Sequence, residues 1–150
     1  GVVSVGKELK NIGEVAEGTQ KGLYELNISH PYFLNVHNQL SLQELYELMK
    51  ISDAVVTMDS GVLHVANCTD IYIVGIFSDI DPRFRMLYRN GELGYKTRTV
   101  SARCTYQYCA SRYGSQDNKC RQQGGDWMCC LPSVDMVFHA IHERFEGDTG

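Results

Sequence analysis

The segment Val55–Asn67, VVTMDSGVLHVAN, brings a carboxylate, a hydroxyl, a glycine and an imidazole within six residues: Asp59, Ser60, Gly61 and His64. An apolar run, Ala54–Thr57, precedes them, and an apolar segment of helical character, Val62–Cys68, follows. In open α/β sheets, ligands bind beyond the carboxyl ends of the strands, where helices begin. The first amides of a helix lack intrahelical partners and carry partial positive charge, which suits a phosphate. Gly61 lets a ligand approach the backbone, Ser60 can donate a hydroxyl hydrogen bond, and His64 can donate to a phosphate or sugar oxygen. Asp59 would repel a phosphate; it is read as an acceptor for sugar hydroxyls or for the loop's own N–H groups. Asp, Ser and Gly are also ordinary cap and turn residues, and a lone histidine is commonly a packed one. The motif therefore takes its weight from the elements around it.

Those elements alternate. Val2–Val5 reads as a buried strand ending at Gly6, and a short helix is expected near Lys7–Val15. Tyr32–Val36 reads as a second short strand. Ser41-Leu42-Gln43-Glu44 is a capping box, with Leu40 and Leu45 spaced as a hydrophobic staple. Leu42, Leu45, Tyr46 and Met49 then follow a helical period, and Lys50 suits the C-terminal end of the dipole. Ala54–Thr57 and Ile71–Phe77 (IYIVGIF) are apolar throughout, as parallel strands covered on both faces are. They are expected to be neighbouring central strands. The order predicts an α/β fold with a parallel sheet. Arg83–Arg103 is polar and aromatic with no firm period. Pro132-Ser133 opens a last helix, with Val134, Val137, Phe138, Ile141 and Phe145 as its apolar face.

Composition narrows the function classes. The 150 residues carry a net charge of −4, which does not indicate general affinity for nucleic acid. No apolar run approaches the roughly 20 residues of a membrane span, and no signal-peptide pattern opens the chain. The chain starts on an apolar strand without an initiator Met, which is read as a piece of a longer polypeptide.

The run Leu40–Pro82, LSLQELYELMKISDAVVTMDSGVLHVANCTDIYIVGIFSDIDP, resembles the C-terminal donor domain of glycosyltransferase family 9, the lipopolysaccharide heptosyltransferases and their relatives. The shared features are a helix start of the form LSL-x-E-L, an apolar strand, DSG-x-x-H-x-A, a second apolar strand, and an Asp-Pro turn. The resemblance implies a Rossmann-like parallel sheet forming one half of a GT-B enzyme, whose two domains enclose the active site. It implies that residues 1–150 are a single nucleotide-sugar binding domain lacking its N-terminal acceptor domain. Asp59, Ser60, Gly61 and His64 match the nucleotide-sugar contact motif; Leu40 matches a position lining the base pocket; Glu8 matches an acidic residue for the ribose hydroxyls, with Lys10 as a competing register. An ADP-sugar is the favoured donor, and the acceptor is a glycan or a protein. The expected location is the cytoplasm, with the inner face of the membrane as one place within it. Two departures stand out: Ser78-Asp79-Ile80 replaces the family's Gly-Pro-Thr-like turn, which puts heptose as donor in question, and the general base expected from the acceptor domain has no counterpart here.

Five of the six cysteines lie within residues 104–130, a cysteine-rich subregion before the last helix: Cys104, Cys109, Cys120, Cys129 and Cys130. Four thiolates can close a tetrahedral site for zinc or iron. Cys104, Cys109, Cys120 and Cys129 (or Cys130) form the candidate set; reduced thiols and disulfides are the alternatives. In a relative of the family that glycosylates autotransporters, a comparable cysteine set holds iron. Cys68 is read as a packed thiol. Tyr106, Tyr108 and Trp127 are expected to pack around the cysteines. Arg83, Arg85 and Arg89 are candidates for an anionic donor or acceptor, or else solvated surface charge.

The leading functional expectation is the donor-binding domain of an inverting glycosyltransferase, with no metal required at the phosphates. A non-enzymatic sugar-nucleotide or protein-interaction module with a structural cysteine–metal site is the alternative. A sugar-nucleotide epimerase is disfavoured, because VGKELKNIG stands where a G-x-G-x-x-G would follow the first strand.

Overall fold

A computed structural model of the chain describes residues 1–5, 29–101, 104, 108, 109 and 132–146. The chain divides into two compact units, Gly1–Glu44 and Leu45–Gly150.

In the first unit, β1 (Val2–Ser4) pairs in parallel with β2 (Phe33–Asn35), Val3 opposite Leu34. The pair is extended at both ends by Val2 N–H donating to the Tyr32 carbonyl and Val36 N–H donating to the Ser4 carbonyl. His37 Nε2 lies 3.1 Å from Ser4 Oγ, linking the two strand ends through side chains. The expected burial of this first strand is not met: Val2, Val3 and Leu34 are exposed. The helix expected near Lys7–Val15 lies outside the described residues, as do Glu8 and Lys10.

Helix α1 (Leu42–Lys50) begins as the capping box requires. Glu44 N–H donates to Ser41 Oγ at 3.2 Å, and Ser41 N–H donates to Glu44 Oε2 at 2.8 Å, so two amides at the helix start are satisfied reciprocally. The Ser41 hydroxyl and N–H hold the Glu44 carboxyl below its ordinary value. Leu45 and Met49 turn to the core, but Leu42 is 72% exposed. The apolar face starts one turn later than the helical period suggests, because Leu42 is the first helical residue and projects off the end of the packed face.

The second unit carries a three-stranded parallel sheet in the order β3 (Ala54–Met58), β4 (Tyr72–Phe77), β7 (Thr97–Ser101). Val55 lies opposite Ile73 and Gly75 opposite Thr99. The parallel pairing of Ala54–Thr57 with Ile71–Phe77 is as expected; β4 is the central strand, and β3 lies at an edge of the described sheet. Alternation along β4 separates two cores. Ile73 and Phe77 pack with Met49, Leu63, Ala66 and Ile71. Val74 packs on the other face with Val100 and Ala140. Helix α2 (Gly61–Asn67) covers the first face and helix α3 (Val134–Glu146) the second.

Cover is incomplete at β3: Val56, opposite Val74, and Met58 are exposed on the face that α3 covers at β4 and β7. Burial of β3 on both faces, expected from its composition, is therefore corrected to burial on one. The face of α3 also differs from its reading. Met136, Val137, Ala140 and Ile141 pack, while Val134, Phe138 and Phe145 are exposed. The packed positions are set by the groove between β4 and β7, and Tyr72 Oη donates to the Ala140 carbonyl across it.

The stretch without a firm period is structured. A 3-10 turn (Pro82–Phe84) follows β4, with Asp81 accepting from Arg83 N–H and from its guanidinium. A hairpin of β5 (Tyr88–Arg89) and β6 (Glu92–Leu93) comes next. Its two turn residues, Asn90 and Gly91, have φ of 49° and 76°, the pair of positive values that a two-residue type I′ turn demands. Arg89 is drawn inward and donates to the carbonyls of Thr69, Ile71 and Tyr95, tying the hairpin to the approach to β4. Burial pulls its guanidinium below the ordinary arginine value. Arg89, read as an anion contact or else solvated charge, is instead engaged with backbone carbonyls of the fold.

Candidate functional site

Because β3, β4 and β7 are parallel, their carboxyl ends lie along one edge of the sheet. Asp59 and Ser60 follow β3, Ser78 and Asp79 follow β4, and Ser101 ends β7. The turn after β3 brings Asp59, Ser60, Gly61 and His64 together, as the strand–turn–helix reading of VVTMDSGVLH requires.

Ser60 occupies the N-cap position of α2 with extended backbone, φ −150° and ψ 175°, yet its side chain caps nothing. Its Oγ lies 3.2 Å from Thr57 Oγ1, and Thr57 in turn donates to the Met58 carbonyl. Ser60 is exposed, so its hydroxyl can turn to a ligand. The amides of Leu63 and His64 both donate to the Ser60 carbonyl, which leaves those of Gly61 and Val62 without a partner among the described residues. Gly61 is exposed, and a Cβ added there would meet nothing within 4 Å. Its value is an open backbone face and not a strained torsion. His64 is exposed, and its ring has no hydrogen-bond partner among the described residues.

Asp59 behaves differently. Its two carboxylate oxygens accept from Arg85 Nε at 3.1 and 2.9 Å. The pair is partly enclosed, with 25% of the Asp59 side chain and 38% of the Arg85 side chain accessible. Asp59 accepts from none of the loop's own amides, so that alternative is replaced by an ion pair. Arg85 was legible as a candidate cation, but not as the partner of Asp59: 26 residues separate them in sequence. Arg83, the other candidate, is occupied by Asp81 at 2.7 Å.

Leu40 is half-buried in the first unit. Cys68 corrects its reading as a packed thiol: it is exposed at the C-terminus of α2, donating through Sγ to the His64 carbonyl. Cys104 and Cys109 are half-buried, and Cys120, Cys129 and Cys130 lie outside the described residues. Among the described residues, no group of three or more His, Cys, Asp or Glu side chains could hold a metal ion. Tyr108 packs against the first core, with its Oη 3.1 Å from Ser101 Oγ; Tyr106 and Trp127 lie outside the described residues. A cavity of about 460 Å³ lies between β7 and α3, lined by Arg98, Val100, Ser101, Met136, His139 and Glu143 among others. None of the residues singled out around Asp59 lines it. No described helix is long and apolar enough to cross a membrane.

One family model, glycosyltransferase family 9 (heptosyltransferase), matches residues 12–113, more than half of the chain, and the α/β fold with its parallel sheet is consistent with it; the chain belongs to that family. No curated protein and no solved structure matches the chain significantly. Family membership places the protein among the glycosyltransferases, and with that class come a nucleotide-sugar donor and an acceptor as substrates.

Proposed function

We propose that the chain is the donor-binding half of an inverting GT-B glycosyltransferase, in which Asp59, Ser60, Gly61 and His64 hold the diphosphate and sugar of a nucleotide-sugar. The observation that carries this reading is the open turn after β3. It combines two amides and an imidazole that have no partner among the described residues, a hydroxyl that does not cap the helix and an unhindered glycine face, at the carboxyl edge of a parallel sheet. Helix α2 has only seven residues, so local amides and side chains, and not a long helix dipole, carry the attraction.

In the proposed reaction an acceptor hydroxyl attacks the anomeric carbon. The new carbon–oxygen bond forms on the face opposite the diphosphate, and the bond to the diphosphate oxygen breaks. A base from the acceptor domain takes the hydroxyl proton. The leaving diphosphate gathers charge as the bond breaks, and in this reading the Gly61 and Val62 amides, Ser60 Oγ and His64 stabilise it. In this reading the acceptor domain is a further part of the same polypeptide, and the enzyme works in the cytoplasm. Leu40 and Glu8 take their roles toward base and ribose from the family resemblance alone. An ADP-sugar is the favoured donor, with heptose one candidate for the sugar. The cysteines from Cys104 to Cys130 form a structural zinc or iron site, using Cys104, Cys109, Cys120 and one of Cys129 or Cys130.

The full-length protein incubated with ADP-, UDP- and GDP-sugars should release the nucleoside diphosphate from at least one, faster when an acceptor is present. No release from any of them would overturn the proposal.

A further inference from the structure

We propose that Arg85 is a positioning residue of the donor site: it fixes Asp59 and cancels its charge, so that a carboxylate can stand beside a diphosphate. This rests on the donor-site reading above and adds a residue to it.

Three observations converge. First, Arg85 Nε–H is shared between both oxygens of Asp59, at 3.1 and 2.9 Å, so the carboxylate is held against the guanidinium by a charge-assisted contact. Second, Arg85 is itself fixed from two sides. Its N–H donates to the Pro82 carbonyl at 2.9 Å as the last link of the 3-10 turn, and its own carbonyl accepts from Asn67 Nδ2 at 3.1 Å. Asn67 is only 4% exposed, on the last turn of α2, so this bond joins the end of α2 to the segment after β4. Third, the other nearby arginines are engaged elsewhere, Arg83 with Asp81 and Arg89 with backbone carbonyls. Arg85 is therefore the cation the fold assigns to Asp59.

The chemical need is plain. An uncompensated carboxylate one residue before Ser60 would oppose the negative charges of a bound diphosphate at a separation shorter than the roughly 8 Å over which salt screens. Paired with Arg85 through one guanidinium nitrogen, Asp59 keeps lone pairs to accept from sugar hydroxyls while its net charge is balanced. The Asn67–Arg85–Asp59 chain links both ends of α2, so the turn that meets the ligand is held from beneath.

The test is calorimetric titration of the full-length protein with ADP, UDP and GDP, comparing wild type with Arg85→Gln, Asp59→Asn and the double variant. Circular dichroism melts check folding. Arg85→Gln should weaken the tightest of the three by about tenfold, and adding Asp59→Asn should bring affinity back to within about threefold of wild type. A residue that merely stabilised the fold would not be rescued by removing its partner's charge. Loss in Arg85→Gln without recovery in the double variant overturns the proposal, and so does unchanged binding in Arg85→Gln. If wild type binds none of the three, the donor-site reading fails and takes this proposal with it; if wild type binds and Arg85→Gln is unaffected, this proposal alone fails. Should Arg85→Gln not fold, Arg85→Lys decides: retained charge should hold affinity within about threefold, and a tenfold loss would overturn the role.

Discussion

Asp59 and His64 share one turn, and the fold uses them in opposite ways. Asp59 is clamped by Arg85, whereas the His64 ring is left exposed with no described partner. An imidazole with no partner among the described residues is open to a ligand. His64→Ala should therefore leave thermal stability close to wild type while weakening nucleoside diphosphate binding by about 1–3 kcal/mol, the worth of a hydrogen bond to a charged group. A melt and a titration on the same sample check both halves. Glu44 gives a pH prediction. Its carboxyl is held below its ordinary value by the Ser41 hydroxyl and N–H, so its stabilising contribution is present above the ordinary carboxylate range. That contribution fades as pH falls through the depressed value. Melts of wild type and Glu44→Gln should differ at neutral pH and converge in acid; a difference that persists in acid would contradict the assignment. At this scale the sequence exposed the residue types at the turn, because they are adjacent. It could not expose the Asp59–Arg85 and Asn67–Arg85 bonds, which depend on how segments 18 to 26 residues apart meet.

Secondary elements with a local signal were legible. The Ser41–Glu44 capping box forms as read, and the apolar runs become β3 and β4 within a residue of their expected bounds. The hairpin of β5 and β6 and the strand β7 were missed. Asn90-Gly91 was a usable signal for the hairpin, but its strands are only two residues each, too short for alternation to register. Strand β7, TRTVS, is threonine-rich, and only Val100 of it is buried, so it lacks the apolar run that marked β3 and β4. Its place follows from pairing with β4. Within β4, Gly75 is a sensitive position because of Phe77, two residues on and on the same face. A Cβ there would lie 2.7 Å from a ring carbon of Phe77, and Phe77 is itself buried in the first core. Gly75→Ala should cost about 1–3 kcal/mol in denaturant unfolding, as overpacking does. An unchanged midpoint would show that the ring yields easily.

At the scale of the whole molecule, a parallel sheet with a core on each face presents an open turn at its carboxyl edge. Alternating elements made that architecture readable; which face of each strand is covered was not, because cover depends on where α3 lands. The cysteine segment is a second whole-molecule question, since it joins the sheet to α3. Protein purified without added metal should carry zinc or iron near one equivalent, with the segment's thiols protected in the folded state. Metal well below stoichiometry together with freely titrating thiols would rule the site out. The central claim is that this sheet edge binds a nucleotide-sugar donor. Its most direct test is calorimetric titration of the full-length protein with ADP, UDP and GDP, repeated on His64→Ala. The account predicts that at least one nucleoside diphosphate binds wild type and binds His64→Ala more weakly. It is contradicted if none of the three binds, or if the substitution leaves the affinity unchanged.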